Sequence, residues 1–278
     1  MNTDQYAVVG HPIKHSLSPE IHRMFNQSVS HTMDYQKIDV EPSQFQHWVK
    51  KFFTSGGRGL NVTVPFKQEA FNLATTHSAR ALRAGAANTL GVNENGEIWA
   101  DNTDGIGLVR AITGIHGHSL NQKNIVLLGA GGAVRGVIGE LLEQNPKSIT
   151  IANRTLEKAT AIVDAFNHPA LFSDSLMDYT PDTPPDWVIS GLSSGLSQQL
   201  PTLSPTLISA GTHVYDMIYG PQDTPLITWA KELGAKATMD GLSMLVEQAA
   251  ESFYLWRGTR PETTPVFQYL RDQLNAAG

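Results

Sequence analysis

Short apolar runs alternate with helix-spaced apolar positions almost from the first residues. Residues 6–10, Tyr-Ala-Val-Val-Gly, read as a buried strand that stops at glycine. Ser18-Pro19 pairs an N-cap residue with proline at the first helical position and predicts a helix to about Gln27. A second strand is expected over 35–40. Glu41-Pro42 then opens a helix in which Phe45, Trp48, Val49 and Phe52 share one face. Residues 59–64 read as a third strand, and Pro65 starts a short helix. Apolar runs at 87–92 and 97–100 flank Asn95-Gly96, a hairpin signal. Thr103 is expected to cap a helix reaching about Thr113.

The next stretch is a cleaner βαβ pattern. Residues 124–128 form an apolar run, 129–132 a glycine turn and 133–144 a helix. The following strand and helix are expected over 148–152 and 156–166. Such a crossover implies parallel strands. Further strands are predicted at 187–190 and 213–215, separated by a Ser/Gly/Pro-rich loop over 193–205. Asp240 caps a long helix carrying Leu242, Leu245, Val246, Ala249, Phe253 and Trp256, which stops at Arg257-Gly258 and Pro261. A final helix spans about 263–275. Linkers are expected near 101–105 and 237–240.

The chain has 278 residues, and this length favours two domains. The net charge of −6 argues against a nucleic-acid or anionic-membrane surface. With no cysteine, disulfides, iron–sulfur clusters and thiol nucleophiles are excluded. The N-terminus lacks a basic segment followed by an apolar run, and no apolar stretch is long enough to span a bilayer. A cytoplasmic protein acting on a small molecule, without nucleic acid or membrane and as monomer or homodimer, is expected. The ten histidines give no H-E-x-x-H spacing and no ligand set, so no metal is expected. Gly191-Leu192-Ser193-Ser194-Gly195 matches a nucleophile elbow by letter, but no helical pattern follows it.

Several motifs carry chemistry. Gly129-Ala130-Gly131-Gly132-Ala133 follows a strand and opens a helix, as a dinucleotide-binding turn must. The strict fingerprint would put a third glycine at position 134, where Val134 stands, although Ala133 and Gly136 still permit close packing. At the end of the next strand, Asn153-Arg154-Thr155 with Lys158 supplies two cations where NAD enzymes carry a carboxylate. That favours the 2′-phosphate of NADP. Lys67, after Asn61-Val62-Thr63-Val64-Pro65-Phe66, meets the unfavourable end of a helix dipole, which suits proton transfer near neutral pH. Asp104, in Asp101-Asn102-Thr103-Asp104-Gly105, is its candidate partner. Ser18 suffices as an N-cap, and the extra hydroxyl of Ser16 suggests an anion site at the same helix start.

Taken in order along the whole chain, these motifs resemble the shikimate dehydrogenase family. The matching segments are Gly10-x-Pro12-Ile13-x-His15-Ser16-Leu17-Ser18-Pro19, 61–67, Gly85-Ala86-Ala87-Asn88-Thr89, 101–105, the glycine turn, 153–155, Tyr215-Asp216-Met217-Ile218-Tyr219 and Asp240-Gly241-Leu242-x-Met244-Leu245-x-x-Gln248-Ala249. The resemblance implies an α/β protein of two domains with the active site in the cleft between them. An N-terminal substrate domain (1–104) would be completed by the C-terminal helices (239–278), and a Rossmann-type NADP domain would span 105–238. It implies that Ser16 and Ser18 bind the substrate carboxylate with Tyr219 nearby. Thr63, Asn88, Asp104 and Gln248 would bind ring hydroxyls, and Asn61 would shape the pocket. Lys67, paired with Asp104, would transfer the proton. NADP(H) would be held by Gly129 to Ala133 and by Asn153, Arg154, Thr155 and Lys158, with Met217 and Gly241 lining the nicotinamide.

The implied reaction is the reversible NADPH-dependent reduction of 3-dehydroshikimate to shikimate, in aromatic amino-acid and chorismate biosynthesis. Two alternatives are a quinate/shikimate dehydrogenase paralogue using NAD and a catalytically silent NADP-binding regulatory protein. The sequence departs from the family pattern twice. Ser190-Gly191-Leu192-Ser193 replaces Asn-Ala-Thr-Ser, and Val134 replaces Ala or Ser.

Overall fold

A computed structural model describes residues 3–29, 32–192 and 200–277, the side chain of 277 excepted. The chain divides into two compact units. One comprises residues 1–108 and 245–266; the other comprises 109–244 and 267–278. All three boundaries fall inside helices rather than in linkers, and the last helix lies mostly with the second unit. The segment expected as a linker near 237–240 is a strand, and 101–105 is buried throughout.

The first unit contains β1 (Asp4–Gly10), α1 (Ser18–Ser28), β2 (Met33–Asp39), α2 (Phe45–Thr54), β3 (Gly57–Val62), α3 (Lys67–Leu73), β4 (Thr76–His77), α4 (Ala79–Ala84), β5 (Thr89–Val92), β6 (Ile98–Asp101) and the start of α5 (Asp104–Arg110). Its sheet runs β2-β1-β3-β5-β6-β4. β1 pairs parallel with β2 and β3, and the β5–β6 hairpin turns antiparallel at Asn95-Gly96. The apolar face of α2 buries Phe45 and Val49, and Phe45 stacks on Phe66 at 4.3 Å. Burying aromatic and aliphatic side chains of this size contributes roughly 1.5–3 kcal/mol each. The short β4 and α4 are not legible as an apolar pattern. Their ends carry the only local signals: Ser78 caps α4, and Gly85 ends it in the left-handed region at φ 61°.

Asp104 starts α5 at the expected place, with Thr103 as the residue before it, whose carbonyl accepts the N–H of Gly107 at 3.0 Å. The side-chain bond at this helix start comes from Asn102, whose Oδ1 accepts the N–H of Asp104 at 3.1 Å. Past Arg110 the backbone widens to a π-helical turn, Ala111–Ile115. The second unit continues with β7 (Asn124–Leu128), α6 (Gly132–Leu142), β8 (Ser148–Asn153), α7 (Leu156–Phe166), β9 (Leu171–Ser175), β10 (Trp187–Ser190), β11 (His213–Asp216), α8 (Pro225–Glu232) and β12 (Ala237–Asp240). The chain then enters α9 (Leu242–Arg257) and α10 (Thr264–Ala277). The sheet is parallel with order β9-β8-β7-β10-β11-β12. This is the doubly wound order of dinucleotide-binding folds, whose switch point lies between β7 and β10. Of the loop expected over 193–205, residues 193–199 lie outside the described residues, and with them most of the elbow-like Gly191 to Gly195. The rest holds one 3-10 turn, Pro205–Leu207.

One core feature makes the first unit acid-sensitive. His22 is fully buried, stacks on Tyr35 at 4.0 Å, and bonds Asn61 Oδ1 through Nε2 at 3.2 Å; its Nδ1 has no partner. Burial pushes its pKa down to about 3 against the weaker opposing pull of Asn61. The folded imidazole therefore stays neutral while the unfolded one takes up a proton below about pH 6.5. Stability is fully present above that pH and falls toward pH 3 by up to about 1.4 kcal/mol per pH unit. Denaturant titrations at about pH 7.5 and pH 5 should show the native chain losing about 2 kcal/mol more than His22→Gln. Equal losses would remove His22 as the cause.

Candidate active site

The helix starts place the polar motifs of the first unit at the C-terminal ends of β1, β3 and β6. α1 begins at Ser18 itself, so its N-cap is Leu17 and not Ser18, and no side chain caps the helix. Ser16 Oγ instead accepts the N–H of Ser18 at 3.3 Å. Ser18 is buried and Ser16 half-buried. β3 ends at Val62, two residues short of the expected strand. Thr63 and Val64 then lead through a cis Val64–Pro65 bond into α3, whose first residue is Lys67.

Lys67 Nζ donates to Asp104 Oδ2 at 2.5 Å, so the pair expected from sequence does meet. The other carboxylate oxygen of Asp104 accepts from Asn88 Nδ2 at 2.8 Å. Asn88 is the hub of this region and only 3% exposed. Its Nδ2 also faces Thr103 Oγ1 at 2.9 Å and Gln248 Oε1 at 3.2 Å. Its Oδ1 accepts from Thr103 N at 2.8 Å and Thr89 Oγ1 at 2.9 Å. Gln248 Nε2 donates to Leu245 O at 2.9 Å. An ammonium, a carboxylate, an amide and a hydroxyl are thus joined in one hydrogen-bonded group, with Lys67 half-exposed and its carboxylate largely buried.

Asn61 is different. Its Oδ1 accepts from Tyr35 Oη at 2.7 Å and from His22, and its Nδ2 donates to Ser252 Oγ at 2.9 Å and lies 3.3 Å from Asn88 O. An amide has two donors and two acceptor positions, so Asn61 is fully engaged within the fold. Ser252, Thr103 and Thr89 are not among the residues that the sequence singles out for the site. Their hydroxyls close the same network, Thr89 Oγ1 to Ser252 Oγ at 2.7 Å and Thr103 Oγ1 to Gln248 O at 3.0 Å. Separations of up to 163 residues leave no local signal for them.

In the second unit the glycine turn sits at the switch point. Gly129 ends β7 at φ 102°, a backbone region that costs an L side chain strain. Gly131 is the N-cap of α6, and nothing lies within 4 Å of a Cβ built at Gly131 or Gly132. Ala130 is half-buried and Ala133 exposed, so the mouth of the turn is open at the positive end of the helix. At the end of β8, Asn153 Nδ2 donates to Thr155 O at 2.7 Å and shapes the turn into α7. Arg154 and Lys158 are exposed, and neither has a carboxylate partner among the described residues. This open cradle with two free cations fits a phosphorylated dinucleotide.

Met217 N donates to Ser190 O at 2.9 Å, and Gly241 N to Ile218 O at 3.0 Å. A Cβ at Gly241 would stand 2.1 Å from Met217 O, so only glycine lets these segments meet. Tyr219 is half-buried, and burial with the nearby Asp240 carboxylate raises its phenol pKa. Among the described residues no group of three or more His, Asp or Glu could hold a metal, and no helix is long and apolar enough to cross a membrane.

The two departures from the family pattern touch each other. A Cβ at Gly191 would stand 2.6 Å from Val134 Cγ2, and Val134 is fully buried. The larger residue at 134 is matched by the smaller one at 191. Gly191→Ala is therefore expected to destabilise the chain by about 1–3 kcal/mol through overpacking. Val134→Ala in the same chain should recover most of that loss. Thermal unfolding of the single and double variants checks both, and additive losses would contradict the contact.

A parallel sheet in this order with a glycine turn at its switch point defines a dinucleotide-binding unit, here in one chain with a separate α/β unit that carries a lysine–aspartate pair. Family models agree. Residues 8–90 match the shikimate dehydrogenase substrate binding domain, 110–194 match shikimate / quinate 5-dehydrogenase, and 241–266 match the shikimate 5'-dehydrogenase C-terminal domain. A curated relative, shikimate dehydrogenase (NADP(+)) of Alkalilimnicola ehrlichii, is 49% identical over 98% of this chain and 100% of its own. The crystal structure of an Ael1 enzyme from Pseudomonas putida superposes with a TM-score of 0.92 at 40% identity, covering 96% of this chain and 98% of that one. Shikimate 5-dehydrogenase from Thermus thermophilus, in complex with NADP(H) and shikimate, gives a TM-score of 0.87 at 29% identity, covering 97% and 99%. The chain belongs to the shikimate dehydrogenase family, whose members are oxidoreductases.

Proposed function

We propose that this chain catalyses the reversible NADPH-dependent reduction of 3-dehydroshikimate to shikimate, a step of the shikimate pathway toward aromatic amino acids. The observation that carries the reading is the Lys67–Asp104 pair at 2.5 Å inside the Asn88–Gln248 network. The first unit binds the substrate: Ser16 and Ser18 take its carboxylate, and Thr63, Asn88, Asp104 and Gln248 take its hydroxyls. Asn61, saturated by its own neighbours, fixes the floor of that site rather than reaching a ligand.

The second unit binds the cofactor. Gly129, Ala130, Gly131, Gly132 and Ala133 leave room for a pyrophosphate, and Arg154 and Lys158, with Asn153 and Thr155, meet the 2′-phosphate. Met217 and Gly241 line the nicotinamide. When bound, NADPH supplies the hydride that converts the ketone carbon to an alcohol carbon. Lys67 gives a proton from Nζ to the oxygen that becomes the hydroxyl, and Asp104 orients that ammonium and holds its charge balance. In the reverse direction the same Nζ accepts the proton.

Following nicotinamide reduction with each pairing of shikimate or quinate with NADP⁺ or NAD⁺ tests the reading. Shikimate with NADP⁺ should be by far the best pair. Turnover of quinate with NAD⁺ would favour the paralogue reading, and no reduction with any pair would favour a silent NADP-binding protein.

A further inference from the structure

Outside the reacting groups, the first unit buries an ionic network that the mechanism above does not use. Arg80, on α4, grips Asp101 with two parallel bonds, Nε to Oδ1 at 3.0 Å and Nη2 to Oδ2 at 2.7 Å. Its third nitrogen, Nη1, donates to Glu251 Oε1 on α9 at 2.9 Å. Both carboxylates are less than 10% exposed. Asp101 Oδ1 also accepts Ser78 Oγ at 2.5 Å and the N–H of Asn102 at 2.7 Å. Asn102 Oδ1 in turn accepts the N–H of Asp104. On the other side, Arg260 holds Glu251 at 3.0 Å and also bonds Glu247, which neighbours Gln248.

Two members of the proposed site therefore hang on one guanidinium. Asp104 is reached through Asp101 and Asn102, and Gln248 lies on the helical turn of α9 that carries Glu251. The two come from segments more than 140 residues apart in sequence, and Asn88 touches both. A planar fork fixes the direction of a carboxylate as a point charge cannot. We propose that Arg80 is a positioning residue for the reaction, setting Asp104 and Gln248 in register so that Lys67 and the substrate hydroxyls meet them together. It rests on the dehydrogenase reading and acts through Asp101 and Glu251, with no contact of its own to the reacting groups.

Steady-state shikimate oxidation by Arg80→Met, Arg80→Lys and Glu251→Gln, with NADP⁺ affinity measured separately by titration of each protein, tests this. Arg80→Met should lose about 10- to 100-fold in kcat, the scale of a misplacement near 1 Å, while NADP⁺ affinity stays within about twofold. Arg80→Lys keeps the charge but not the fork, so it should regain thermal stability without regaining kcat. Glu251→Gln, which keeps the Arg80–Asp101 fork and guards against a poorly folded Arg80→Met, should raise the shikimate KM about threefold or more. Wild-type kcat and shikimate KM in a folded Arg80→Met, or recovery of kcat together with stability in Arg80→Lys, would overturn the inference. So would wild-type constants in Glu251→Gln if Arg80→Met does not fold. A native chain that does not turn over shikimate at all would remove the functional reading, and this inference with it.

Discussion

Lys67→Ala is expected to lower kcat for shikimate oxidation by about 10²–10⁴-fold, the usual contribution of a positioned general acid–base group. The change in shikimate KM should be much smaller, because the carboxylate and hydroxyl contacts proposed for Ser16, Ser18, Asn88 and Gln248 remain. The geometry sets this expectation. Nζ is the only ammonium that reaches Asp104 among the described residues, and it stands half-exposed at the first residue of α3. NADP⁺ affinity should be unaffected, since the residues proposed to hold it belong to the second unit. Steady-state kinetics with both substrates, beside a titration of NADP⁺ alone, make the check; kcat within tenfold of the native value would remove Lys67 from its role.

Asn88→Ala is expected to cost about 3–5 kcal/mol of stability and most of the activity. Its amide carries bonds to Thr103, Thr89, Asp104 and Gln248, all within the first unit. Alanine would leave the Thr103 N–H, in a fully buried residue, without its acceptor, and would strip one donor from the Asp104 carboxylate. Each orphaned buried group costs roughly 1–3 kcal/mol, more where a charge is involved. Losses of this size are confined to substitutions that break such networks. Denaturant unfolding of the full chain, read against the native protein, measures it. A loss below about 1 kcal/mol would mean that the network closes without Asn88.

The parts of the fold that are legible in the sequence are those whose signal is local. β7 and α7 are located to the residue, and α6 within one residue at its start, because an apolar run, a glycine turn and a helical period follow one another without interruption. The elements that escape such a reading lack that contrast. β12 is a four-residue strand, Ala-Thr-Met-Asp, that reads as a polar linker and becomes a strand only by pairing with β11. α8 carries a usable signal in Thr224-Pro225, where Thr224 Oγ1 accepts the N–H of Ile227 at 3.3 Å. Ser18 reads as a cap, wrongly, because serine before proline satisfies the local rule equally well one residue earlier or later.

The sequence by itself determined the residue types of the chemistry and their order along the chain. An ammonium stands at one helix start, a glycine turn at another, and two cations where a dinucleotide's extra phosphate would fall. These follow from helix dipoles and backbone sterics, which act over a few residues. Which side chains converge was decided by the tertiary structure alone. The approach of Lys67 to Asp104, the saturation of Asn61, the fit of Gly191 against Val134 and the fork of Arg80 on Asp101 join positions 21 to 57 residues apart, or farther in the case of Ser252 and Asn61. Burial makes each unpaired polar atom and each overlapping methyl costly, and that cost is a property of the packed interior, which no local stretch of sequence contains.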